Sequence, residues 1–593
     1  GALETLVITA SATAVLAFVT GGLTGPIALA APTLLALVVG LLLAHATVPV
    51  AAFAGRELLR RSRVRLGVSV LYAARSPATR RTVAILTVAT SLLVFSADAL
   101  VVGARNRASA AQQQAGAPLV ADVLGEDLLT VRRVLRHVDP KGETITPVVA
   151  IKSPQQDAPA TLAVVPGPFE RIALFPGQTV SDIPWRKLAP PDVSPIRVSG
   201  TQITGRIATS GLDGTNSNAT PTLTLEVVDN TNSTLDVPLG RIDTLSQRRR
   251  FSGTLHCQQG CLLSGLRLNT SPGSSISGSI TLDGVMAGGK RVQLGPSSGW
   301  NSVNDAQTGQ ITVTSPRNDR LTVALRTSGV NTVQLHQAWF PTRIPAIAAG
   351  RLPNGGRGNS FVTRGIDGID RDAVRVAKVP RVPASPADTA LVNLDVVQRG
   401  STVDTANQIM LWFAHDDPAA LARVTKALLV KGVAIADTKT LVAQMRGYDQ
   451  STAAWSLQLA GVVGVAALLI AMLVLLVIAV TTWRLRSREL AALRMSGVGQ
   501  GSIRWIAVGE QMIAVGLGVV AGGLCGLVGA HFSLPTVPLF ATAPEVSTLD
   551  LSTAWVAVGG ALAGAVVVLA AVGWLTGGAI ARRAVLQRVR ETL

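Results

Sequence analysis

The stretch Trp483-Arg484-Leu485-Arg486-Ser487-Arg488-Glu489-Leu490-Ala491-Ala492-Leu493-Arg494-Met495-Ser496-Gly497-Val498 decides how this chain is read. It follows an uncharged apolar run, 453–483, and precedes a second, 505–531, interrupted only by Glu510. About 20 apolar residues cross a bilayer, so a strongly basic segment sits between two candidate spans. Residues 482–504 hold five Arg and one Glu. The same pairing of basic segment and apolar run recurs at 56–81, with eight Arg and one Glu, and at 582–593, with four Arg and one Glu.

Those three segments carry +14 of the formal net charge of +18. Basic residues confined to the ends of apolar runs follow the positive-inside pattern, and they argue against a nucleic-acid surface. Only 15% of the 593 residues are charged, against about 25% in soluble domains, and mean hydropathy is +0.40.

Six membrane helices are expected. Residues 5–55 carry no formal charge, and Gly21, Gly22, Gly25 and Pro26 divide them into a hairpin of helices near 5–22 and 30–53 within 1–55. A basic elbow, 56–81, leads to a span at 82–103, bounded by Arg80/Arg81 and Arg105/Arg107. Spans at 453–483, 505–531 and 551–580 follow, separated by the loop 484–504 and closed by the tail 581–593. The basic segments place the elbow, this loop, the tail and the N-terminus on the cytoplasmic side of a bacterial plasma membrane. The 349 residues 104–452 then lie outside.

The outer region divides by composition. In 104–193 the strands Ala117–Val123 and Thr144–Ile151 flank an amphipathic helix, Glu126–His137, stopped by Asp139-Pro140. In 344–452 Asp417-Pro418 starts a helix, Ala419–Lys431, that ends at Gly432. Between them, 194–343 is rich in Ser, Thr, Gly and Asn, with short alternating segments and turn signals at Asp213-Gly214 and Asp283-Gly284. The fold class expected is therefore a six-helix membrane protein whose external α/β domain carries an inserted β-sandwich. A helix ending near Tyr448 is expected to run on into the span at 453.

Cys257 and Cys261 lie in the sandwich, where an oxidising compartment permits a disulfide that clamps a local turn. Zinc is the alternative, but two Cys and His256 without a second ligand cluster match zinc spacing poorly. Cys525 sits in an apolar run and reads as packing. Gly284–Arg291 nearly matches a phosphate-binding loop but ends in Arg291 where Ser or Thr is needed, and it reads as a hairpin turn. Gly295-Pro296-Ser297-Ser298-Gly299 has the spacing of a hydrolase elbow without its strand-turn-helix context. No catalytic, cofactor-binding or metal-binding residue is expected. Trp300, Trp339 and Phe340 are candidates for an exposed aromatic platform that would bind glycan or wall polymer, although such residues are more often core.

The opening stretch resembles the cytoplasmic loop of FtsX-like (MacB-like) ABC transporter permeases, in which Arg-Glu-x-x-x-Leu-Arg-x-x-Gly follows a membrane helix; Arg488, Glu489, Leu493, Arg494 and Gly497 match it. Glu510 matches a Glu that opens the next helix in that family, and Arg63–Arg81 resembles the family's basic elbow. The resemblance covers roughly 54–120 and 420–593, and one helix, a large external domain and three further helices repeat its topology. The sandwich departs from the family's compact external domain.

The resemblance implies a permease subunit without its own ATPase activity or cofactor. It implies a dimeric cytoplasmic ABC ATPase as partner, and a second permease half from upstream sequence or another subunit. The opening Gly1-Ala2-Leu3-Glu4 lacks an initiator Met, so upstream sequence is expected and the chain reads as the C-terminal half of a two-repeat, actinobacterial-type permease. Arg488, Glu489 and Arg494, with an apolar ridge of Leu490, Leu493 and Met495, would form a short coupling helix ended by Gly497. Attraction of the same loop to anionic headgroups is the other reading, and the two are compatible. Glu510 is either a functional intramembrane carboxylate or an interfacial one paired with Arg504, and Asp98 is expected at the outer interface. The external region would do conformational work, by mechanotransmission, on a lipid, lipoprotein, peptide or wall component. A transmembrane sensor, or a glycan-binding regulator of an external hydrolase, is the alternative.

Overall fold

A computed structural model describes residues 31–75, 77–125, 127–151, 159–189, 191–214, 221–242, 248–269, 275–303, 309–328, 332–340, 342–351, 359–495, 497–537, 539–540 and 549–582, with isolated positions 9 and 13. The expected helix 5–22, the break at Gly21–Pro26 and most of the tail, 583–593, lie outside these residues. The chain divides into two compact units. One holds 1–109, 445–544 and 548–593; the other holds 110–444 and 545–547.

The first unit is helical. Its elements are α1 (Ala31–Arg60), α2 (Val64–Arg75), α3 (Pro77–Ala115, which continues into the second unit), α9 (Thr452–Met495), α10 (Gln500–Ser533) and α11 (Trp555–Arg582). Among the described residues five helices are long and apolar enough to cross a membrane, namely all of these except α2. The elbow helix α2 folds back on α1: a methyl group at Gly55 would lie 3.2 Å from the Gly67 carbonyl oxygen.

Lipid tails are as apolar as leucine, so membrane helices associate where small residues let their backbones approach. Gly518, Gly522 and Gly526 of α10 form such a stripe against α3. A methyl group at Gly522 would lie 2.6 Å from the Thr87 carbonyl oxygen and 2.7 Å from Thr90 Cβ; at Gly526 it would lie 2.8 Å from the Ser91 carbonyl oxygen. Residue numbers rise together along both helices, so α3 and α10 run in the same direction. On α11, Gly577 meets the Val508 backbone in the same way, at 2.9 Å.

The second unit contains two sheets. The first has nine strands in the order β15-β16-β14-β17-β3-β2-β18-β1-β19. These are β1 (Leu119–Leu124), β2 (Ile145–Ile151), β3 (Ala160–Val164), β14 (Ile344–Ala349), β15 (Ser360–Arg364), β16 (Asp370–Val379), β17 (Thr389–Asn393), β18 (Gln408–Phe413) and β19 (Ala434–Thr440). The pairs β3–β17 and β14–β16 are parallel and the rest antiparallel. Both faces are covered, so central strands read as unbroken apolar runs. In β18, Ile409, Leu411 and Phe413 join the core under α4 (Leu128–Val138) and α7 (Pro418–Leu429). Met410 and Trp412 join the opposite core under α5 (Pro166–Ile172). A four-residue helix, α6 (Leu394–Val397), follows β17.

The helix ends follow the chemistry of their side chains. The carboxylate of Asp127 accepts the Thr130 amide, and that of Asp417 accepts the Ala419 amide. Asp139 ends α4 and accepts the Thr144 amide at 2.7 Å and the Ile145 amide at 2.9 Å. Burial alone would raise its pKa; these bonds, with those from the Thr144 hydroxyl and the Glu143 amide, outweigh it and hold the carboxyl below its ordinary range.

The second sheet lies between β3 and β14 in chain order and is antiparallel throughout. It comprises β4 (Arg197–Gly214), β5 (Thr222–Val228), β6 (Thr234–Arg241), β7 (Arg248–Asn269), β8 (Ile276–Ala287), β9 (Lys290–Arg291), β10 (Trp300–Ser302), β11 (Gly309–Arg317), β12 (Arg320–Thr327) and β13 (Thr332–Gln337). The expected sandwich is one continuous hydrogen-bonded sheet folded over a single core. The first part of β7 pairs with β4, and its last residues pair with β5 on one side and β13 on the other. Leu223, Leu266 and Leu335 from one half and Ile280, Leu282 and Val323 from the other line one gap.

Three local expectations change. Asp283-Gly284 is no turn: it lies inside β8, where Gly284 (φ +60°) forms a bulge opposite β4. The turn is instead Gly288-Gly289 (φ +55° and +80°), which pairs Ala287 with Lys290 and makes the near-match to a phosphate loop a hairpin. Finally, Cys257 and Cys261 are disulfide-bonded within β7, not at a turn; the register slips on both sides of Gly200, and the bond clamps that bulge.

Gly522→Leu is expected to separate α3 from α10 and lower the thermal midpoint of the detergent-solubilised protein. Gly516→Leu, with nothing within 4 Å of its added carbon, should leave the midpoint unchanged. Differential scanning fluorimetry of both variants checks this.

Candidate functional site: the polar junction at the end of the long helix

Helix α9 is continuous over 44 residues. At 1.5 Å per residue it is about 66 Å long, more than twice the hydrocarbon core of about 30 Å. The expected short helix at 484–500 is therefore the far end of the membrane helix itself, which corrects the separate coupling helix. Leu, Ala, Arg and Glu favour helix, and no Gly or Pro intervenes between Trp483 and Met495. The stop comes at Gly497 (φ +89°), whose amide donates to the Arg494 carbonyl at 3.1 Å. At the other end α8 (Leu441–Asp449) stops two residues before α9, and the Ser451 hydroxyl accepts the Ala454 amide, so the helix near Tyr448 does not run into the span.

Arg486 organises this end. Its Nη2 lies 2.5 Å from Glu510 Oε1 on α10, its Nη1 lies 3.1 Å from Glu489 Oε2, and its guanidinium lies 5.9 Å from the Tyr72 ring of α2. Thr79 of α3 donates its hydroxyl to Glu510 Oε1 at 3.4 Å. Four helices thus meet at one buried ion pair, with side-chain exposure of 17% for Arg486 and 12% for Glu510. The expected Glu510–Arg504 pair does not form; Arg504 lies over the Trp574 ring at 5.4 Å.

The remaining expected residues separate by face. Arg488 and Met495 are exposed, together with Arg484 and Leu485. Glu489 turns toward Arg486. Leu490 is buried in a cluster with Ile503, Ile506 and Ile580, so it is not part of an outward ridge. Arg494 is half-buried, and the Leu493 side chain lies outside the described residues. Arg486, Tyr72 and Thr79 escaped sequence reasoning. Arg486 was within reach of it, since it precedes Glu489 by three residues and shares its helix face.

A second polar cluster ties the opposite ends of the helices together. Asp98 is buried, and its Oδ1 accepts the Ala554 amide at 2.7 Å, just before α11. Arg105 pairs with Asp550 at 3.0 Å, Asn106 exchanges two 2.8 Å hydrogen bonds with the Asp550 backbone, and Arg107 pairs with Asp449 at 3.2 Å. Bonds from the Ser552 hydroxyl and amide, with Arg105 nearby, hold the Asp550 carboxyl below its ordinary range.

The candidate platform residues Trp300, Trp339 and Phe340 are interior, as core residues. Trp300 and Trp339 donate their indole N–H groups to the Leu294 and Leu263 carbonyls at 2.9 and 2.7 Å, and Phe340 packs edge-on against His336. Cys525 is buried and unbonded. Among the described residues no group of three or more His, Cys, Asp and Glu could hold a metal ion.

Among the described residues five helices are long and apolar enough to cross a membrane, which marks a multi-pass membrane protein. Residues 461–585 match the family model described as FtsX-like permease C-terminal, so this part of the chain is similar to FtsX-like permeases. A comparison with curated proteins finds no match.

Removing one partner of a buried ion pair strands the other charge, at about 3–5 kcal/mol. Glu510→Ala is therefore expected to destabilise the protein more than Arg486→Ala/Glu510→Ala does. Thermal unfolding of the two single variants and the double variant in one detergent gives the cycle; additive effects would show that the pair is not coupled.

Proposed function

We propose that the chain is the permease subunit of an ABC-type machine in which a cytoplasmic ATPase grips the end of α9. The observation that carries this reading is the FtsX-like permease match over 461–585, which contains the Arg488–Gly497 motif and Glu510. FtsX-like permeases typically work with ABC ATPases and are in general non-enzymatic membrane components. Arg488 and Met495, exposed beside Arg484 and Leu485, supply a basic and apolar grip. The charge pattern supports a cytoplasmic location for this end and for both termini.

The proposed mechanism is mechanical. ATP binding draws two ATPase subunits together and displaces the end of α9. No helix break lies between Met495 and Thr452, so the displacement travels along one rigid element. The Arg486–Glu510 pair passes it to α10, and Thr79 and Tyr72 pass it to α3 and α2. The region 110–444 then changes pose outside and works on a lipid, lipoprotein, peptide or wall-related substrate. A second permease half would complete the assembly.

The test is co-purification from the native membrane in mild detergent. An ABC ATPase is expected to accompany the wild-type chain and to be lost from Arg488→Glu/Met495→Asp, whose positions are exposed and leave the Arg486 junction intact. Equal recovery with the variant would remove the grip from α9, and no ATPase with either chain would contradict the permease reading.

A further inference from the structure

Strand β7 opens with Arg248-Arg249-Arg250, and Arg241 closes β6. These four arginines line one cavity of about 520 Å³, within the roughly 300–1,000 Å³ typical of small-ligand sites. All four are exposed, and among the described residues none has an ion pair or a side-chain hydrogen bond. No described carboxylate lines the cavity. Elsewhere in the same sheet Arg206 and Arg320 hold Asp283, Arg267 holds Glu226, and Arg291 holds Asp319. Arg249 lies on the strand face of Ile207 and Phe251, and Arg248 and Arg250 lie on the other face; the uncompensated charge around the concavity focuses a positive potential there, which an anion would relieve.

The rest of the lining is of two kinds. Thr209 and Ser252 bring hydroxyl groups. Ile207, Leu239 and Phe251 are buried side chains that reach the same space as an apolar floor. Guanidinium groups match phosphate geometry through paired N–H donors, and an apolar floor beside them suits a hydrocarbon chain. We propose that this cavity binds the phosphate group of an anionic amphiphile, with Arg241 and Arg249, which share a strand face with Leu239 and with Ile207 and Phe251 respectively, on the phosphate and the chain against Ile207, Leu239 and Phe251. The site belongs to the sheet alone and stands whether or not an ATPase partner is found.

The test uses the full chain in nanodiscs of zwitterionic phosphatidylcholine, titrated calorimetrically with dihexanoyl phosphatidylglycerol below its micellar concentration and, separately, with inorganic phosphate. Saturable binding of the amphiphile is expected, tighter than that of phosphate and weakened by salt. Loss of two charge-assisted contacts in Arg241→Gln/Arg249→Gln should lower affinity about tenfold or more. The lysine pair Arg241→Lys/Arg249→Lys should retain most of it, and Arg326→Gln, an exposed arginine outside the cavity, should match wild type. No saturable binding, or an equal loss in Arg326→Gln, overturns the site; phosphate binding as tightly as the amphiphile overturns the amphiphile assignment.

Discussion

Inside a bilayer there is no water for apolar surfaces to escape, so helices hold together only where their backbones can touch and their polar groups are satisfied. Helix α10 meets both demands on one face. Glu510, Ala514, Gly518, Gly522 and Gly526 recur every four residues, and Gly518, Gly522 and Gly526 rest on Leu86, Thr87 and Ser91 of α3. Close approach along this stripe brings Glu510 within reach of Thr79 and of the Arg486 guanidinium arriving from α9. The glycines and the ion pair are thus one device. The glycines bring α10 against α3, and the buried charge pair sets the register of α9 against that pair of helices, because sliding would strand a charge in a low-dielectric space.

Much of this was legible in the sequence. Apolar run length located the helices, since a bilayer imposes a minimum that few other environments do. The Arg-rich segments and the 488–497 motif pointed to the end of α9. Partner choice was not legible: both Arg504 and Arg486 lay within reach of Glu510, and only the stacking of Arg504 on Trp574 decides between them. The length of α9 is not legible in the apolar run, because the basic residues that end the run do not end a helix; Arg and Glu propagate it as well as Leu does. The glycine stripe is ambiguous in sequence because glycine reads as a breaker in water, whereas in a membrane it marks contact.

In the outer sheets the alternating pattern identified strands but could not tell a turn from a bulge. Asp283-Gly284 has turn composition, yet β8 runs on through it and pairs Met286 and Ala287 with β4 beyond it. Aromatic residues were equally ambiguous: Trp300 and Trp339 satisfy their N–H groups on buried carbonyls, an option sequence cannot rank against exposure. The arginines of β6 and β7 are not legible as a site in the sequence, because a basic run in a strand looks like a solvated face until the sheet brings it to one cavity.

In the proposed mechanism the end of α9 and the sheet region act on opposite sides of a membrane, so that work on one is felt by the other. The most direct measurement is cysteine accessibility in intact and permeabilised cells, using Ala492→Cys on α9 and Ala324→Cys on β12, both exposed positions, with a membrane-impermeant maleimide. The cysteine at 324 is expected to be labelled in intact cells and the one at 492 only after permeabilisation. Labelling of both from the same side would contradict it.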